Sequence, residues 1–217
     1  IILIGASALA SSCARVQPGK LTSELLPLPD KPLVAFRVVA KVGSANDPSG
    51  KDGLCQLACS LLANGGTRTT TLDEITRKFY PMAASVSVSL DKEMAVFAAT
   101  IHRDNLDTFY GIFRDMLLDP GFREDDFTRL KTNQLNFLEK TLVNNMDEQF
   151  GKEILNLMLY EGHPYGHNEA GSAETVKTLT LNDVRGFYQE HFVKGTNIIG
   201  MPGGYHHRKT TRLNSIN

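Results

Sequence analysis

Hydrophobic and polar positions alternate with clear periods along most of this chain. In residues 53–67, GLCQLACSLLANGGT, Leu54, Leu57, Ala58, Leu61 and Leu62 recur at helical spacing. That pattern predicts an amphipathic helix, entered from an Asp-Pro-Ser-Gly loop and stopped at Gly65-Gly66. Upstream, Val34, Phe36, Val38, Ala40 and Val42 fall on one side of residues 33–42, with Arg37 and Lys41 on the other; this predicts a strand. Thr71-Leu-Asp-Glu74 has the spacing of a capping box and predicts a second helix to about Phe79, which Pro81 ends. Residues 83–90 alternate Val86, Val88 and Leu90 against Ser85, Ser87 and Ser89, and 94–101 read as the returning strand of a hairpin.

The second half of the chain reads as helical. One helix starts at Asp104, carries Leu106, Phe109, Phe113, Met116 and Leu117 on one side, and ends near Asp119-Pro120-Gly121. A long helix over 124–143 presents Phe127, Leu130, Phe137 and Leu138. A further one over 147–160 is expected to turn Ile154, Leu157, Met158 and Tyr160 inward. Residues 162–167, GHPYGH, read as a loop, Thr180 to Asp183 caps a last helix to about Phe192, and Asn197 opens a strand. Strands and helices segregate, so the expected fold class is α+β: an antiparallel sheet with helices packed on one face.

The ends of the chain lack this periodicity. Residues 1–13, IILIGASALASSC, resemble the apolar run and small-residue cleavage site of a secretory signal, and Ala10 to Cys13 resembles a bacterial lipobox; the readings are lipidation of Cys13, simple signal cleavage, or a disordered apolar N-terminus. These features imply the bacterial periplasm or cell envelope. Residues 14–31, with Pro18, Gly19, Pro27 and Pro29, read as a linker. Residues 32–200 form the domain, running into the start of a second half. Residues 201–217 are expected to be a disordered or artefactual tail.

Charge and cysteine content narrow the chemistry. A formal net charge of −1 gives no general attraction to nucleic acid. Cys55 and Cys59 lie one turn apart inside a predicted helix and Cys13 is the third, so the cysteines do not make a disulfide framework. Cys55 and Cys59 are most simply small buried residues.

The order of these elements, together with several local motifs, resembles the N-terminal half-domain of the pitrilysin/insulysin/mitochondrial-processing-peptidase family. The motifs are Val42-Gly43-Ser44 before the Asp-Pro-Ser-Gly loop, Gly53-Leu54 and Gly66-Thr67 at the ends of the first helix, and Leu117-Leu-Asp-Pro120. Further along, Gly162-His-Pro-Tyr-Gly166, Leu179 to Asp183, and Phe187 to His191 complete the match. Enzymes of that family carry H-x-x-E-H on the first helix. Residues at i, i+3 and i+4 share a helix face. Two imidazoles then hold zinc while the glutamate acts as base on the metal-bound water. A glutamate on the later long helix completes the site.

Aligned on Gly53-Leu54, the first histidine falls on Gln56, the glutamate on Cys59 and the second histidine on Ser60. Glutamine and serine are poor zinc ligands, and a thiolate is not a carboxylate base. The third ligand falls between Asn136 and Glu139, with Glu139 the acidic candidate. No catalytic residue, metal ligand or cofactor is therefore assigned, although zinc serves active relatives. His163 and His167 are four apart but flank Pro164 and Gly166, which speaks for a structural loop rather than a metal pair. Cys59 beside Ser60 has no sequence-local base to make it a nucleophile.

The resemblance implies a non-catalytic homologue that partners an active zinc endopeptidase subunit, with peptides as the molecules handled and no nucleic acid. Membrane contact is expected only through a lipid anchor at Cys13. Two alternatives stand beside it: an active zinc metalloendopeptidase with displaced ligands, and an envelope protein-binding scaffold.

Overall fold

The computed structural model describes residues 22–192 and 197–205. Residues 1–21, Cys13 among them, and 206–217 lie outside that range. Five strands form one sheet: β1 (Thr22–Pro27), β2 (Leu33–Ala40), β3 (Val86–Leu90), β4 (Ala95–His102) and β5 (Asn197–Gly203). Their order is β1-β5-β2-β4-β3. β2 lies antiparallel to both β4 and β5, β3 is antiparallel to β4, and β1 runs parallel to β5. The α+β fold class stands, with one parallel pair at the sheet edge.

The sheet is one-sided because its strands are. Val34, Phe36 and Ala40 on β2 and Ala95, Phe97, Ala99 and Ile101 on β4 are all buried. Arg37 and Thr100, on the opposite face, are exposed. Eight helices are described: α1 (Leu54–Asn64), α2 (Leu72–Phe79), α3 (Leu106–Leu118), α4 (Glu124–Asn136), α5 (Val143–Asn145), α6 (Asp147–Leu159), α7 (Ala173–Thr178) and α8 (Leu181–His191). α1 lies in the middle of this layer, against α3, α4 and α8. Its five apolar-face residues are at most 3% exposed. Phe36 meets Phe109 at 5.5 Å and Phe113 at 5.7 Å between ring centroids, which locks α3 onto β2.

Local chemistry sets the helix starts. Thr71 Oγ1 accepts from Glu74 N at 3.3 Å while Glu74 Oε2 accepts from Thr71 N at 2.8 Å, the reciprocal capping box expected from the sequence. Thr180 and Asp183 repeat it on α8.

The structure corrects the sequence reading in several places. Residues 22–27 of the expected linker are strand β1, because pairing with β5 supplies the hydrogen bonds that its own composition does not advertise. Part of the expected tail belongs to the fold: Met201 to Gly203 complete β5, and Met201 and Tyr205 are 1% and 4% exposed. The long helix over 124–143 is α4, then a π-helical turn over Phe137–Leu142, then α5. α7 carries no long apolar period and was not expected; Ser172 starts it by accepting from Thr175 N.

α6 departs furthest. Ile154, Leu157, Met158 and Tyr160 are 42–73% exposed rather than inward. Gln149, Glu153 and Asn156 take the inner side instead, with Glu153 6% exposed. α6 packs mainly against α5 and the π turn rather than against the sheet.

Candidate functional site

The N-terminus of α1 is built by Asp47. Its buried carboxylate accepts from Gly53 N and Cys55 N, each at 2.7 Å, satisfying donors that the helix leaves open. Gly53 sits at φ +89°, and a Cβ there would lie 2.5 Å from the Ala170 carbonyl oxygen. Only glycine fits that position. Gln134 of α4 then donates to Gly53 O at 3.0 Å and to Ala170 O at 2.8 Å, fastening α4 and the loop before α7 to the start of α1.

These contacts open a cleft of about 380 Å³ between α1, α4, α6 and the 168–170 loop. Gln56 and Ser60 line it from α1, Asn133, Gln134 and Phe137 from α4 and the π turn, Gln149 from α6, and Asn168 and Glu169 from the loop. Leu130 and Ala170 complete the lining, so the wall is mainly apolar surface set with side-chain amides, one hydroxyl and one carboxylate. Gln56 Nε2 donates to Ser60 Oγ at 3.2 Å, so these two are partnered to each other. Glu169 is held by Lys92 at 2.8 Å.

Gln56, Cys59 and Ser60 thus do not share one environment. Gln56 and Ser60 reach the cleft; Cys59 is 0% exposed in the core. Cys55 and Cys59 are both free thiols, and the hydrogen bond with Cys59, reinforced by burial, pushes the Cys55 thiol up. Neither cysteine is placed as an exposed thiolate nucleophile. Glu139 does not face the cleft. It pairs with Lys177 at 2.7 Å, and that ammonium draws its carboxyl below the usual range. Within the window 136–139, the residue that lines the cleft is Phe137. Sequence reasoning missed Asn133, Phe137 and Gln149. The register of a helix across a π turn decides which side chains face α1, and composition carries no mark of it.

The two loop histidines part company. His167 Nε2 lies 3.5 Å from Asp47 Oδ2 and 2.9 Å from Ser44 O. Asp47 raises the imidazole pKa above its ordinary value, against burial and Lys92, which lower it; Asp52 adds to the rise. His163 is exposed and packs edge-on against Tyr165 at 4.9 Å. They form a loop brace, not a ligand pair.

A zinc ion does not suit this donor set. Of the three α1 side chains singled out from the sequence, Gln56 and Ser60 bring an amide and a hydroxyl to the cleft, Cys59 turns its thiol into the core, and the π turn brings the Phe137 ring. Among the described residues, no three His, Cys, Asp or Glu side chains are grouped to hold a metal.

The model of the insulinase family, peptidase family M16, matches residues 26–169. The chain belongs to that family. It is 20% identical over 179 residues to an uncharacterized zinc protease of Rickettsia bellii, covering 82% of this chain and 43% of that protein. It is 22% identical over 132 residues to the mitochondrial-processing peptidase subunit beta of Caenorhabditis elegans, covering 61% and 28%. Among solved structures, an M16 peptidase inactive domain from Pseudomonas fluorescens superposes with a TM-score of 0.81 at 21% identity, over 89% of this chain and 47% of that one. A protease from Helicobacter pylori gives 0.77 at 19%, over 90% and 46%. The chain spans less than half the length of each of these proteins. This insulinase-family domain has a five-stranded sheet with α1 packed beside it.

Proposed function

We propose that this insulinase-family chain is a non-catalytic homologue that works as the peptide-contacting partner of an active zinc endopeptidase subunit. The observation that carries the reading is the donor set: Gln56 and Ser60 in the cleft, Cys59 buried, and Phe137 across from them. Side-chain amides set in a mainly apolar cleft can hydrogen-bond a polypeptide backbone in both directions without polarising or hydrolysing it. The likeness to a Pseudomonas fluorescens inactive domain is in keeping with this. The apolar run over residues 1–13 supports a place in the bacterial periplasm or envelope.

The test is co-expression with an insulinase-family chain from the same genome that bears an intact H-x-x-E-H. A stable one-to-one complex is expected, with zinc and chelator-sensitive peptide cleavage belonging to the partner. Stoichiometric zinc and chelator-sensitive cleavage by this chain alone would overturn the reading. So would failure of the two chains to associate.

A further inference from the structure

Asn168, Glu169 and Ala170, which line the cleft, end a loop that is tied down by polar contacts. Lys92, in the turn between β3 and β4, donates to His167 O and pairs with Glu169 at 2.8 Å. Tyr165 Oη donates to Glu93 of the same turn. That turn is itself fixed, because Ser44 N and Ala45 N donate to Asp91 O and Lys92 O at 3.0 and 2.9 Å. From the other side, Gln134 holds Ala170 O. One further tie carries a group that titrates near neutrality. His167 Nε2 lies 2.9 Å from Ser44 O and 3.5 Å from Asp47 Oδ2, joining the loop to the segment that starts α1.

The charges around this imidazole make its proton matter. Asp47 and Asp52 face it from the segment before α1, and Lys92 faces it from the β3–β4 turn, with Glu169 on Lys92. When His167 is protonated, these three carboxylates meet two cations. When it is neutral they meet one, and the Asp47 carboxylate, whose side chain is 0% exposed, loses the cation beside it. Asp47 cannot turn away, since Gly53 N and Cys55 N hold both its oxygens. The loop is the side that is left to give.

We propose that His167 is a proton-operated clamp on the loop wall of the cleft: charged, it holds residues 167–170 against the start of α1; neutral, it lets that wall loosen and the cleft widen. Asp47 raises the imidazole pKa, so the clamp is closed at about pH 6 and is released as pH rises through the folded value. A peptide in the cleft would be gripped more firmly in acid; that consequence, and it alone, rests on the peptide-contacting role proposed above.

The experiment is hydrogen–deuterium exchange of the wild-type chain, His167→Asn and His163→Asn at about pH 6 and about pH 9. The amides of Gly166, Ala170 and Gly171, each bonded within the loop, are read. Comparing proteins at the same pH cancels the intrinsic pH dependence of exchange. At about pH 6 these amides should exchange roughly fivefold more slowly in wild type than in His167→Asn, and at about pH 9 within about twofold. His163→Asn should keep the wild-type step between the two pH values, because His163 is exposed and bonds only to Tyr165 N of its own loop. In wild type alone, the loss of loop protection should share its midpoint with the His167 imidazole resonance in NMR, a check that stands even if His167→Asn does not fold. Equal protection in wild type and His167→Asn at both pH values overturns the clamp. A loss in His167→Asn that is the same at both pH values also overturns it, showing the ring to be packing only. So does a step that vanishes in His163→Asn, or a loop midpoint that departs from that of His167. None of these outcomes bears on the peptide-contacting role.

Discussion

At the residue scale, Asp47 and His167 show how much of this site is scaffold. Asp47 caps α1 with two backbone bonds and at the same time holds the His167 imidazole. The folded-state pKa of His167 is raised above its unfolded value. The stabilisation is therefore fully present below about pH 6.5, the ordinary histidine value, and is lost as pH rises through the higher folded value. The wild-type Tm should accordingly fall between pH 6 and pH 8 by more than that of His167→Asn, whose side chain does not titrate. Parallel Tm–pH curves for the two proteins would show that the ion pair contributes nothing. Lys51 with Asp183, on the neighbouring side, is a partly exposed pair of the kind that contributes little at ordinary salt.

At the element scale, the cleft exists because three separately specified elements are tied to one helix start. Gln134, 8% exposed, is the tie: its amide nitrogen serves both the Gly53 and Ala170 carbonyls. Gly53 O also receives Leu57 N, so truncating the amide mainly strands the Ala170 carbonyl. Gln134→Leu should cost about 1–3 kcal/mol, the range for an unsatisfied buried polar group. Urea unfolding measures it, and a midpoint unchanged from wild type would show that water or a shifted loop takes over. The sequence marked the capping boxes of α2 and α8 because both partners of each lie within one turn. It did not mark Gln134, whose partners lie 81 and 36 residues away.

At the scale of the whole molecule, one aromatic cluster holds the helical layer to the sheet. Phe36 from β2 meets Phe109, Tyr110 and Phe113 of α3, and Phe79 of α2 joins at 5.2 Å from Phe109. Removing the Phe36 ring leaves a cavity shared by three elements. Phe36→Ala should therefore lose about 3–5 kcal/mol, a large share of the about 5–15 kcal/mol typical of a folded domain. Denaturant titration with an unchanged m-value is the check; a loss under 1 kcal/mol would mean the cluster closes over the gap. None of the helices among the described residues is long and apolar enough to cross a membrane.

The sequence by itself determined what depends on neighbours along the chain. The apolar face of α1, the alternation in β3, the capping boxes and the family motifs are all of this kind. Only the tertiary structure decided what depends on distant partners. β1 is a strand because β5 lies beside it, and Phe137 rather than Glu139 faces the cleft because a π turn resets the helix register. α6 turns its apolar stripe outward where it packs mainly against α5 and the π turn. Periodicity shows that a helix has two faces, but which face meets the protein is fixed by what the helix packs against.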